Sequence, residues 1–158
     1  MWQRIQTVFL AVTIISLALA LVQPIWLAEL ATGKVILTPF YFLKVDNGAE
    51  GATEVFSYMP YSLTAVLAVA AITLAILEIR RYDNRVTQLK LGAFNTLVLA
   101  GVMISAVAFA SKLPEQYNTP GQYSFGLYLI FVAVICNWLA VRFIRRDERI
   151  VRDADRIR

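Results

Sequence analysis

The sequence predicts an all-α membrane protein: a four-helix transmembrane bundle, with a small β element in the first outer loop and a C-terminal helical cytoplasmic extension. Composition is the first observation. Of 158 residues, 59% are apolar and 16% charged, where a soluble domain carries roughly 45–50% and about 25%. The second is four apolar runs without Asp, Glu, Lys or Arg, each close to the ~20 helical residues that cross a ~30 Å hydrocarbon core. The third is the alternation of basic residues between the connecting segments, which fixes a single orientation. Residues 1–158 therefore read as one four-span membrane domain.

The first span is expected over about residues 7–26, from Thr7 to Trp26, ending near Gln23-Pro24. Arg4 before the run and Ala18-Leu19-Ala20 within it also fit a signal peptide, but the run is long for such a segment, so a retained span is expected. The first outer loop, 27–59, contains Lys34–Thr38, Phe40–Val45 and Thr53–Tyr58, rich in β-branched and aromatic residues, with Asp46-Asn47-Gly48 as a turn signal. Two or three antiparallel strands are expected there. The second span is placed at 61–77, with Pro60 suited to the first helical turn. The inner loop, 78–90, has neither Gly nor Pro, so the flanking helices can extend into it. The third span is placed at 91–110. In the second outer loop, Ser111–Gly121, Pro114, Pro120 and Gly121 argue against a helix. The fourth span is placed at 123–141. The cytoplasmic tail, 142–158, continues without Gly or Pro, so one long helix is expected to leave the membrane. Glu148 with Arg152 and Asp153 with Arg156 support it at helical spacing.

Twelve basic residues fall on one side: Arg4; Arg80, Arg81, Arg85 and Lys90; and Arg142, Arg145, Arg146, Arg149, Arg152, Arg156 and Arg158. Only Lys34, Lys44 and Lys112 fall on the other. The positive-inside rule puts both termini and the inner loop in the cytoplasm of a bacterium, the chain lying in its inner membrane. Trp2, Tyr82 and Trp138 would mark the inner interface, and Trp26, Tyr58, Tyr61, Tyr117 and Tyr123 the outer one.

Three stretches carry a family resemblance: Gln3-Arg4-Ile5-Gln6, the segment Asn84–Leu91, and the tail Arg145–Arg158. Together with the span layout they resemble a family of small four-span proteins of Bacteroidota-type bacteria, domain of unknown function 4293. The resemblance covers essentially the whole chain and is most specific in the tail. It implies membrane class and topology, and no activity. The layout is also similar to that of claudins in architecture, though the outer loop here lacks a cysteine pair.

No constellation for catalysis emerges. There is no histidine, and Cys136 is the single cysteine. Ser16, Ser62 and Ser105 have no base or glycine elbow beside them. Asp46, Glu50 and Glu54 lack calcium-loop spacing. Neither a cofactor nor a metal is expected, and no nucleic-acid partner. Asn95 and Asn137 sit at similar depth in the third and fourth spans and are expected to form an interhelical polar contact. Gly92, Thr96 and Ala100, and Ala68, Ala71 and Ala75, are small residues at helical spacing, expected to pack helices closely. Arg80, Arg81, Arg85, Arg145, Arg146, Arg149, Arg152 and Arg156 are expected to contact anionic head groups or a partner. The expected function is that of a non-catalytic accessory or scaffold protein in a larger inner-membrane assembly, docking through the basic tail. A small transporter or channel subunit acting as a homo-oligomer, and a membrane enzyme acting on lipid, are the alternatives; for the enzyme, Glu54, Glu78 and Asp83 are the obvious acids.

Overall fold

Each apolar run stays helical until its local chemistry stops it. In the computed structural model, which describes residues 2–48, 51–81 and 84–156, α1 runs Trp2–Val22. It ends ahead of Pro24, which offers no N–H and disfavours helix in the residue before it. Trp26, expected at the end of the first span, instead opens a strand.

Strands β1 (Trp26–Leu30), β2 (Gly33–Leu37), β3 (Phe42–Gly48) and β4 (Gly51–Ser57) follow. The first outer loop therefore holds four strands rather than two or three. Asp46-Asn47-Gly48 is not the turn: Asp46 pairs with Thr53, Asn47 with Ala52 and Gly48 with Gly51, so the ladder runs through the supposed turn signal. A fifth strand, β5 (Gln122–Tyr123), comes from the far side of the chain and pairs with Leu27 and Trp26. The sheet is antiparallel, in the order β4-β3-β2-β1-β5.

Helix α2 spans Ser62–Arg80, α3 Arg85–Tyr117 and α4 Phe125–Arg156. The inner loop is therefore short: α2 and α3 take up both its ends, and Glu78 belongs to α2. Asn84 caps α3, its side chain accepting from the Thr87 N–H at 3.1 Å. The break expected over Ser111–Gly121 comes only at Asn118, because α3 runs through Pro114 to Tyr117. A helix-interior proline costs about 3 kcal/mol. Leu113 beside it is only 1% exposed, and burying such a side chain contributes about 1.5–3 kcal/mol, so packing holds the last turn. Asn118 then ends the helix in the left-handed conformation, its N–H bonded to the Pro114 carbonyl.

The helices form a ring in which α1 packs on α4 and α2, and α3 packs on α2 and α4. Small residues set the α2 interface: Ala65, Ala68, Ala71 and Ala75 are all buried, and short side chains let helix backbones approach. The sheet closes one end of the ring. Trp26, Ala28, Val35, Leu37 and Phe42 join a single core with Leu17, Leu99, Leu113 and Ile130 of the helices. Phe42 stacks between Tyr61 and Tyr117, and Tyr61 meets Phe109 edge-on. The opposite end holds the start of α1, the α2–α3 connection and the last turns of α4; it is called the terminal end below.

All four helices contain a stretch long and apolar enough to cross a membrane. Ile15, Leu97, Ile104 and Ile135 point outward, each more than half exposed, as surfaces facing hydrocarbon rather than water would.

Candidate functional site

Two features gather at the terminal end. The first is a buried polar layer. The inward stripe of α3 reads Gln88, Gly92, Asn95, Leu99, Val102, Ala106, Ala110 and Leu113, so helical spacing carries an amide, a glycine and a second amide into the bundle. Asn95 Nδ2 donates to Asn137 Oδ1 at 3.0 Å, and Asn137 Nδ2 donates to Thr96 Oγ1 at 3.0 Å. The Thr96 hydroxyl donates in turn to the Gly92 carbonyl at 2.8 Å. This chain fastens α3 to α4, and an interhelical hydrogen bond within a membrane is worth about 0.6 kcal/mol, reaching ~1–2.

Glu78 of α2 enters the same layer with 0% exposure. A Cβ at Gly92 would lie 2.6 Å from Glu78 Oε1 and 2.7 Å from Val141 Cγ2, so the missing side chain of Gly92 is the space the carboxyl occupies. Gln6 of α1 is also buried. Among the described residues, both carboxyl oxygens of Glu78, Gln6 Oε1 and Asn95 Oδ1 have no hydrogen-bond partner. Placing Glu78 at the start of the inner loop named the residue as an acid but missed its burial within α2. Its signal was in the sequence: Glu78 continues the stripe of Ala68, Ala71 and Ala75 at helical spacing.

The second feature is a basic face. Arg142, Arg145, Arg146 and Arg149 are exposed along α4. The Arg142 guanidinium lies 5.4 Å from the centre of the Trp138 ring, a cation–π pair. A groove of about 420 Å³ runs between α3 and α4, lined by Ala93, Thr96, Trp138, Val141, Arg142 and Arg145. A neighbouring hollow of about 260 Å³ shares Arg142 and Arg145 and adds Phe143, Arg146 and Arg149.

The remaining expected contact residues divide. Arg80 and Arg81 are exposed at the end of α2. Arg85 is turned inward against α4, its Nη1 donating to the Asp147 carbonyl at 3.2 Å. The side chains of Arg152 and Arg156 lie outside the described residues, as do those of Arg4 and Trp2 and the whole of Glu50, Tyr82 and Asp83. Arg142 was not singled out from the sequence, although it lines both hollows.

Two of the serines and acids weighed from the sequence, Ser105 and Asp46, have local partners. Ser105 accepts from Thr64 Oγ1 at 3.1 Å and donates to the Val102 carbonyl, bridging α2 and α3. Asp46 pairs with Lys44 at 3.5 Å on the sheet surface.

A ring of four membrane-length helices, closed at one end by an antiparallel sheet and lined at the other with buried amides, a carboxyl and exposed guanidiniums, defines a multi-pass membrane protein. The chain belongs to the family described as domain of unknown function DUF4293, whose model matches residues 2–157. No curated protein matches it.

Proposed function

We propose that this protein is a non-catalytic accessory or scaffold subunit of a larger bacterial inner-membrane assembly, with both termini in the cytoplasm, docking through the basic end of α4. The observation that carries the reading is the row of exposed guanidiniums from Arg142 to Arg149 along α4. Val141 and Glu78 meet at Gly92, close to where α2 ends at Arg80. Arg85, the first residue of α3, bonds at the level of Asp147, and α4 continues to Arg156. In this reading the turns of α4 beyond Asp147 are the cytoplasmic extension, and the charge of the tail exceeds what orientation alone requires.

The test is purification of the natively expressed chain in gentle detergent, with mass spectrometry of what accompanies it. Larger membrane proteins in fixed ratio are expected, and they should be lost when the chain is truncated after Phe143. A truncated chain that keeps its companions overturns docking through the tail. Orientation is checked separately by replacing Cys136 with Ala and introducing single cysteines at Asn84 or Asn118; only Asn118→Cys should react with an impermeant thiol reagent in intact cells.

The buried, unpartnered carboxyl of Glu78 favours a second reading, a small transporter or channel subunit acting as a homo-oligomer, because ionisable groups inside membrane helices mark ion pathways. Flux into liposomes that disappears in Glu78→Gln would establish it over the first.

A further inference from the structure

The groove between α3 and α4 has two chemically distinct parts. Its wall is Ala93, Val141 and Thr96. The Thr96 hydroxyl already donates to Gly92 and accepts from Asn137, so this wall offers a ligand little besides hydrocarbon contact. Its rim is Trp138, Arg142 and Arg145. Beyond the rim, the second hollow extends the same guanidinium row along α4 to Arg149. Among the described residues, no carboxylate forms a salt bridge with Arg142, Arg145 or Arg149. Within those residues the three guanidiniums have no carboxylate counter-charge.

We propose that these adjoining hollows bind an anionic phospholipid carrying two phosphate groups, its acyl chains lying along the α3–α4 groove. This rests on the reading that α4 emerges from the bilayer at its basic end. Basic pockets between membrane helices take phospholipid head groups, and a tryptophan at the rim is the residue type that settles at the head-group level. Two phosphates fit better than one because the basic row runs along two adjoining hollows that share Arg142 and Arg145. Arg142 and Arg149 are two helical turns apart, about 10.5 Å along the axis, and Arg145, shared by both hollows, lies between them. A lipid with one phosphate engages only part of that row. Guanidiniums suit this role because their planar fork grips phosphate oxygens in pairs.

The test is native mass spectrometry of the purified full-length protein, delipidated and then offered diphosphatidylglycerol, phosphatidylglycerol or phosphatidylethanolamine at equal phosphate. The two-phosphate lipid should be retained at least about tenfold better than either of the others. Two variants separate groove from surface charge. Arg142→Gln with Arg145→Gln removes the shared rim; Ala93→Phe fills the hydrocarbon part and leaves every charge in place. Both should lower retention about tenfold, with the lipid-free thermal midpoint unchanged. Equal retention of the one- and two-phosphate lipids overturns the two-phosphate assignment. Loss with the arginine variant but not with Ala93→Phe reduces the site to surface electrostatics and overturns the groove. The isolated protein is used throughout, so absence of protein partners leaves this result standing. Release of the chain from membranes at alkaline pH would instead overturn the spanning reading itself.

Discussion

A hydrogen atom is all that Gly92 presents to α2, and a carboxyl fills the space. Gly92→Ala gains about 1 kcal/mol of helix propensity, but its methyl must displace both Glu78 and Val141. Overpacking of this kind costs about 1–3 kcal/mol, so a lower thermal midpoint in detergent is expected. Adding Glu78→Ala should recover part of the loss, because the two positions share one space and their effects are not additive. Replacing Asn95 by Leu should loosen α3 from α4 by about 0.6–2 kcal/mol, and a cycle with Asn137→Leu should show coupling. The depth of the two asparagines was legible because each lies a similar distance from the basic end of its span. Glu78 was harder to place. A charge beside Arg80 and Arg81 resembles the edge of a loop, and only its spacing of seven residues from Ala71 and three from Ala75 reveals that it turns inward.

At the scale of elements, apolar runs betray helices well and their ends poorly. Pro114 shows why: proline lacks one donor, and its cost is local, so a buried Leu113 can carry a helix past it. The same limit applied to Trp26, whose hydrophobicity fits a span and a core strand equally. What no pattern announced was how the sheet attaches to the bundle. Phe42, 7% exposed, is one such contact, stacked between Tyr61 and Tyr117. Phe42→Ala should cost about 3–5 kcal/mol and should expose β3 and β4 to protease before the helices are cut. The Tyr61 hydroxyl is held above its ordinary value, chiefly by burial and further by Tyr117. The contribution of its neutral form is complete below the ordinary tyrosine value of about 10 and is lost as pH rises through the raised one. Loss of sheet–bundle contact at alkaline pH, followed by tyrosine fluorescence, should therefore weaken in Tyr61→Phe.

Across the whole molecule, four spans and a sheet-bearing first loop were legible because length and alternation are properties of long segments. The fifth strand was not, since Gln122 and Tyr123 are too few to show a period. Its position depends on a contact distant in sequence: the Trp26 indole lies over Gly121, whose φ of +51° also favours glycine. Gly121→Val should strain the backbone and push the indole away, and faster amide hydrogen exchange at Trp26 and Leu27 is the measurement that checks it.

That pairing also imposes an order of events during synthesis. Strands β1 to β4 are complete before α2 begins, yet the outer edge of β1 stays open until α3 has been laid into the bilayer and the chain has returned to the same face. β5 therefore acts as a clasp fastened late, after the third helix has taken its place. A nascent chain stalled before residue 122 would carry a bare strand edge at the membrane surface, ready to pair with whatever strand came near, and from that stage its maturation is a race between its own last hairpin and a stranger's.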